Sequence, residues 1–280
     1  MVENRRFGNL IPHLVLCVGV GIVAFPVLLA IIASTHDAAT IANGQMPLWP
    51  GDRLVENYRR ALTESGMAGA PVAAMLVNSL ISALVIALGK IAISLLSAYA
   101  LIYFRFPFRQ AAFWAIFVTL MLPVEVRIFP TYKVAADLRL LDTYAGLTLP
   151  LIASATATLL FRQFFLTVPN ELVEASRIDG AGPVRFFFDT LLPLSRTTTA
   201  ALFVILFIYG WNQYLWPILV TTRDDMQTVV IGLRKMTSIT DQLTEWQIVM
   251  ATAVLAMLPP VVVVFAMQKL FVRGLVETEK

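Results

Sequence analysis

Apolar runs about as long as a bilayer is thick dominate this sequence. A helix needs about 20 consecutive, mostly apolar residues to cross a hydrocarbon core about 30 Å thick. Segments 11–34, 72–102, 111–129, 145–161, 200–220 and 248–267 meet or approach that length. Inside the bilayer only helices and closed barrels satisfy every backbone polar group, and barrel strands alternate apolar with polar residues. These runs are apolar all round, so the chain reads as an all-α integral membrane protein with six transmembrane helices. Of its 280 residues, 58% are hydrophobic and 14% charged, against about 45–50% and about 25% in soluble domains.

The first run follows Arg5 and Arg6, but it exceeds the apolar region of a signal peptide and no small-residue cleavage site follows, so it reads as a retained helix. Basic residues in short flanking segments stay on the cytoplasmic side. With the N-terminus inside, the inner side holds Arg5, Arg6, Arg105, Arg109, Arg162, Arg177, Arg185, Arg196, Lys269, Arg273 and Lys280. The outer side holds Arg53, Arg59, Arg60, Lys133, Arg139, Arg223, Arg234 and Lys235. Both termini are then cytoplasmic, and residues 1–280 read as one transmembrane domain. The net charge of +3 is spread without blocks, which excludes a nucleic-acid surface. Cys17, the single cysteine, excludes an internal disulfide and reads as a small buried hydrophobe.

The longest inner segment, 162–199, carries the most specific pattern. Thr167 to Glu171 reads as a helix start with an early proline and acidic first turn, and Gly180 after Asp179 suits a left-handed C-terminal cap. Pro183 opens a second short helix, with apolar residues at Val184, Phe187, Phe188 and Leu191. Helices this short need something to pack on. Phe186, Phe187, Phe188, Leu191 and Leu192 are expected to pack on the membrane helices, while Glu174, Arg177, Asp179 and Gly180 are left to meet a soluble partner.

Glu174-Ala175-Ser176-Arg177-Ile178-Asp179-Gly180, followed after nine residues by Thr190-Leu191-Leu192-Pro193, resembles the EAA loop of ATP-binding-cassette importer permeases. Ser176 and Thr190 depart from that pattern, whereas the spacing is kept. The resemblance implies a type I importer permease fold in which the loop is a cytoplasmic coupling helix seated in an ATPase groove. It assigns ATPase coupling to Glu174, Ala175, Ser176, Asp179 and Gly180. It further implies a sister permease subunit, two copies of an ATPase subunit carrying ATP-Mg, and a soluble substrate-binding protein, in a bacterial inner membrane. This chain itself is then a non-catalytic translocation subunit that binds no cofactor. Glu3-Asn4-Arg5, Leu122 to Pro130, Tyr209 to Pro217 and Phe271 to Leu275 are similar to the carbohydrate-uptake permeases, and within them to the branch serving sn-glycerol-3-phosphate. That implies a glycerophosphate or glycerophosphodiester cargo, with a neutral sugar or oligosaccharide as the alternative.

Polar groups within spans are expensive and point to function or to a partner. Lys90 lies about 27 Å along its helix from Val72 by helical rise, near the inner interface, and reads as a snorkelling lysine. Tyr209, Asn212, Gln213 and Trp216 recur at helical spacing, which predicts one face, lining either a helix contact or a polyol path. Gly210 and Pro217 would let that helix deform. Glu125 and Arg127 fall in the outer third of the third span and point apart. Arg127 there is either a headgroup anchor or a fixed cation able to grip a phosphate in bidentate fashion. Pro123 and Pro130 bracket them and would free backbone groups.

No phosphate-binding G-x-x-x-x-G-K-[ST] loop occurs, so the chain is not itself the ATPase. His13 and His36 are the two histidines, and no metal or nucleophile constellation is visible. A self-sufficient secondary transporter would want internal repeats or a mid-membrane acid, and neither is evident.

Overall fold

The computed structural model describes residues 10–44, 46–119, 121–238 and 244–276, without the side chains of 10–11, 67, 124–125 and 269–276. Arg5, Arg6, Lys280 and the stretch from Glu3 to Arg5 lie outside the described residues. Every regular element among the described residues is helical. In chain order these are α1 (Leu10–Ala33), α2 (Ala38–Ala42), α3 (Leu54–Thr63), α4 (Val72–Tyr103), α5 (Arg109–Val118), α6 (Val124–Asp137), α7 (Tyr144–Thr148) and α8 (Ala155–Leu166). There follow α9 (Asn170–Ile178), α10 (Pro183–Phe186), α11 (Leu192–Leu194), α12 (Arg196–Trp211), α13 (Leu215–Val220), α14 (Val229–Ser238) and α15 (Trp246–Val276).

Pro12–Ala33, Val72–Tyr103 and Trp246–Gln268 are each long and apolar enough to cross a membrane as single helices. Two further candidate spans are bent pairs: Tyr144–Leu151 with Ala155–Leu166 at 49°, and Pro183–Leu194 with Arg196–Trp211 at 72°. The straight helix expected over 111–129 is broken, since α5 ends at Val118 and α6 begins at Val124. Pro123 explains where α6 starts: its extended backbone (φ −55°, ψ 143°) precedes the first turn, and proline disfavours helix in the residue before it. Pro130 is absorbed inside α6.

The chain forms two compact units, one of Met1–Ala74 with Gly232–Leu258 and one of Met75–Ile231 with Pro259–Lys280. In the first, Asn57 on α3 donates to the carbonyls of Ser34 (2.9 Å) and His36 (2.8 Å), satisfying acceptors just past the end of α1. Arg60 reaches both Glu64 (3.3 Å) and Glu245 (3.0 Å), tying α3 to the residue before α15. The sides of α1 are bare, with 6% of its apolar window buried, and Cys17 is exposed rather than buried. Its run supplies a small thiol, but no part of the described chain closes over it.

In the second unit, α4 is the helix on which others pack. A Cβ added at Gly210 would stand 3.0 Å from Ala83 Cα, so α12 meets α4 backbone to backbone. Gly89 allows an equally close approach by Ile152, whose Cγ2 would be 2.8 Å from an added Cβ. Gly210 is therefore a contact glycine, placed one residue before the end of α12. At the far end of α4, the Tyr99 hydroxyl donates to the Pro183 carbonyl at 2.8 Å, and Tyr99 and Tyr103 pack against Phe186 at ring-centroid distances of 6.5 and 5.4 Å.

Candidate functional site: a loop tip and a cationic cleft

The loop begins differently from its sequence reading. Thr167 closes α8, its hydroxyl donating to the Phe164 carbonyl at 2.7 Å, and the extended Pro169 precedes α9 instead. The other end is as expected. Gly180 has φ +73°, its N–H donates to the Arg177 carbonyl (3.0 Å), and the Ala181 N–H donates to Ser176 (2.9 Å). Those paired bonds are a Schellman termination, which requires a left-handed residue that glycine supplies without steric cost. Phe186, Phe187 and Leu191 are buried and Phe188 is exposed, so the second short segment is held on its own unit. Residues 187–191 form a π-helical turn that leads into α11 and the bend.

This leaves the tip of α9 facing outward. Glu174, Ala175, Asp179 and Gly180 are exposed, Ser176 is half-buried, and Ile178 is 86% exposed.

The four-residue face expected along the fifth span does not exist as one helix. α12 ends at Trp211, Asn212 forms its C-terminal cap, and α13 starts at Leu215. Pro217 is the cause: it cannot donate to the carbonyl four residues earlier, at Gln213, and its ring would clash there. The break nevertheless gathers part of the set. Tyr209, Gln213, Leu215 and Trp216 line a cleft together with Arg127, Ile128 and Thr131 of α6. Gln213 donates from its side chain to the Tyr209 carbonyl at 3.1 Å. Trp216 is buried with Ile128, Ala135, Leu147 and Val220, and its Nε1–H donates to the Gly146 carbonyl at 2.9 Å. It is an anchor whose edge reaches the cleft. Asn212 is exposed and lies outside the cleft lining. Glu125 stands in the first turn of α6, with its side chain outside the described ones.

Arg127 is exposed, and among the described residues no carboxylate pairs with it. Lys90 departs most from its sequence reading. It is 6% exposed, not snorkelling, and its Nζ lies 3.7 Å from the centroid of the Tyr209 ring. Depth along α4 could not reveal this, because it depends on which helix packs over the lysine. The sequence also leaves Asn78 unremarked. Its side chain is buried, donates to the carbonyls of Asp225 (2.7 Å) and Gln227 (3.0 Å), and accepts from the Tyr144 hydroxyl (2.6 Å). A lone amide nearly two turns into an apolar run was the available signal. Outside the spans, Asp142 accepts from the N–H groups of Thr222 (2.6 Å) and Arg223 (2.9 Å) and from the Thr222 hydroxyl (2.6 Å). Burial pushes its carboxyl up, but those bonds outweigh it and hold its pKa below the usual aspartate value.

Residues 90–277 match the family described as binding-protein-dependent transport system inner membrane component. The chain belongs to that family. This permease is 61% identical over the full length of both chains to the sn-glycerol-3-phosphate transport system permease protein UgpE of Rhizobium meliloti. It is 60% identical to that of Agrobacterium fabrum and 54% identical to that of Salmonella choleraesuis, again over both full lengths. Its fold matches a chain from the crystal structure of a bacterial ABC transporter involved in the import of the acidic polysaccharide alginate. The TM-score is 0.81 at 20% identity, covering 96% of this permease and 98% of that chain. At that identity the likeness shows the type I importer permease fold alone.

Proposed function

We propose that this chain is the translocation subunit of an ATP-driven importer of sn-glycerol-3-phosphate and related glycerophosphodiesters. The observation that carries the reading is identity of 54–61% over whole chains to permeases named for that substrate. A cleft bearing Arg127, the Tyr209 phenol and the Gln213 amide supports it, because a guanidinium suits a phosphoryl group while phenol and amide suit the glycerol hydroxyls. In this reading Glu174, Ala175, Ser176, Asp179 and Gly180 couple to an ATPase subunit that holds ATP-Mg, and this chain hydrolyses nothing. The complete transporter comprises a sister permease, two ATPase copies and a soluble binding protein that delivers the cargo. Both termini and the α9 tip face the cytoplasm, and the cleft belongs to the substrate path across the bacterial inner membrane.

The test is reconstitution of the four-component transporter in proteoliposomes, with labelled sn-glycerol-3-phosphate and labelled maltose offered from the binding-protein side. ATP-dependent accumulation of the phosphate ester alone is the expected result. Accumulation of the neutral sugar alone would reassign the cargo, and uphill uptake by the isolated chain without ATP would remove the importer reading altogether.

A further inference from the structure

Lys90 is a buried cation, and among the described residues no carboxylate neutralises it. A charge withdrawn from water is costly unless something compensates it, and inside a membrane protein such a residue marks a functional partner. The face of Tyr209, 3.7 Å from the ammonium, compensates in part. Tyr209 also lines the cleft that holds Arg127, so Lys90 stands against one wall of that cleft. With Lys90 against the Tyr209 ring and Arg127 in the cleft that Tyr209 lines, two like charges flank one side chain, an arrangement an anion between them would relieve.

We propose that Lys90 is the second cation of an anion site whose first is Arg127, and that this site receives the phosphoryl group of a phosphate monoester. The phosphoryl ligand rests on the function proposed above; the anion site itself rests on the placement of the two cations. The Tyr209 hydroxyl donates to a phosphoryl oxygen, while Arg127 supplies its planar fork. Lys90 is a compact charge on a flexible stem, able to leave the aromatic face and follow the ligand. A monoester carries close to two negative charges at neutral pH and matches both cations, whereas a diester carries one.

The charge at the cleft can be read without transport. In the assembled transporter, with Cys17→Ser as background, Gln213→Cys is reacted with an anionic and with a cationic methanethiosulfonate of similar size. Removing a unit charge nearby, as in Lys90→Met, lowers the anionic-to-cationic rate ratio by at least about tenfold, and Lys90→Arg keeps most of it. If Lys90→Met does not assemble, Lys90→Gln, which keeps a polar end, is read the same way. An unchanged ratio in an assembled variant overturns the anion site. For the ligand, Lys90→Gln lowers uptake of sn-glycerol-3-phosphate by a larger factor than uptake of glycerophosphocholine; equal loss of the two overturns the match of two cations to a monoester. A lowered ratio in a transporter that imports no glycerophosphate would keep the anion site while removing the cargo assignment.

Discussion

At the scale of single residues, backbone conformation and charge set the sharpest expectations. Nothing lies within 4 Å of a Cβ built on Gly180, so a substitution there acts through its φ of +73° alone. A left-handed conformation costs an ordinary residue about 1–2 kcal/mol, and a β-branched one more. Gly180→Val should therefore insert into the membrane normally yet abolish uptake, and normal uptake by that variant would remove the turn from coupling. Arg127→Gln should lower sn-glycerol-3-phosphate uptake about tenfold or more, with Arg127→Lys recovering part because the fork is lost; full uptake by Arg127→Gln would sink the phosphate contact. Asp142 predicts a pH response of definite sign. Its folded pKa lies below the ordinary 3.8, so its contribution is complete above that value and disappears as pH falls through the lower, folded value. Thermal stability should thus hold flat from pH 7 to about 5 and begin to drop only below about 4. Asp142→Asn should remove that drop, and an identical acid profile in the variant would show that other groups cause it. The turn at Gly180 was legible in the sequence because a glycine cap is a local matter. The burial of Lys90 was not, because it depends on Tyr209, more than a hundred positions later, arriving on a packed neighbour.

At the scale of elements, proline decided what periodicity misjudged. Runs 111–129 and 200–220 are apolar enough to read as straight spans, but Pro123 and Pro217 divide them, and the second break converts an expected four-residue face into a cleft corner. Hydropathy registers composition and is blind to missing backbone donors, so the break has to be read from the proline itself. A cysteine scan distinguishes the two geometries. Thr131, Gln213 and Leu215 line the cleft while Leu206 and Val204 are buried. Single cysteines at the first three, in a Cys17→Ser background, should react with a water-soluble reagent, and those at Leu206 and Val204 should not. Reactivity at the buried Trp216 equal to that at Gln213 would restore the continuous face.

At the scale of the whole molecule, the fold class and the family were legible because they rest on long apolar runs and on a motif with fixed spacing. The cleft joins α6 to the α12–α13 break, and no local pattern announces that meeting. The exposed tip predicts an assembly phenotype: Glu174→Lys should lower retention of the ATPase subunit in pull-down, and undiminished retention would count against direct docking there. One more consequence follows from the close contact of Gly210 with Ala83. Were α4 to tilt about that contact, its two ends would travel unequally. Tyr103 lies about 30 Å from Ala83 along the helix and Lys90 about 10 Å, at 1.5 Å per residue. A tilt of ten degrees about that contact would carry Tyr103 through about 5 Å and Lys90 through about 2 Å. Such a tilt would be geared down roughly threefold, so a coarse stroke beside the loop would reach the ammonium as a displacement on the order of a hydrogen-bond length.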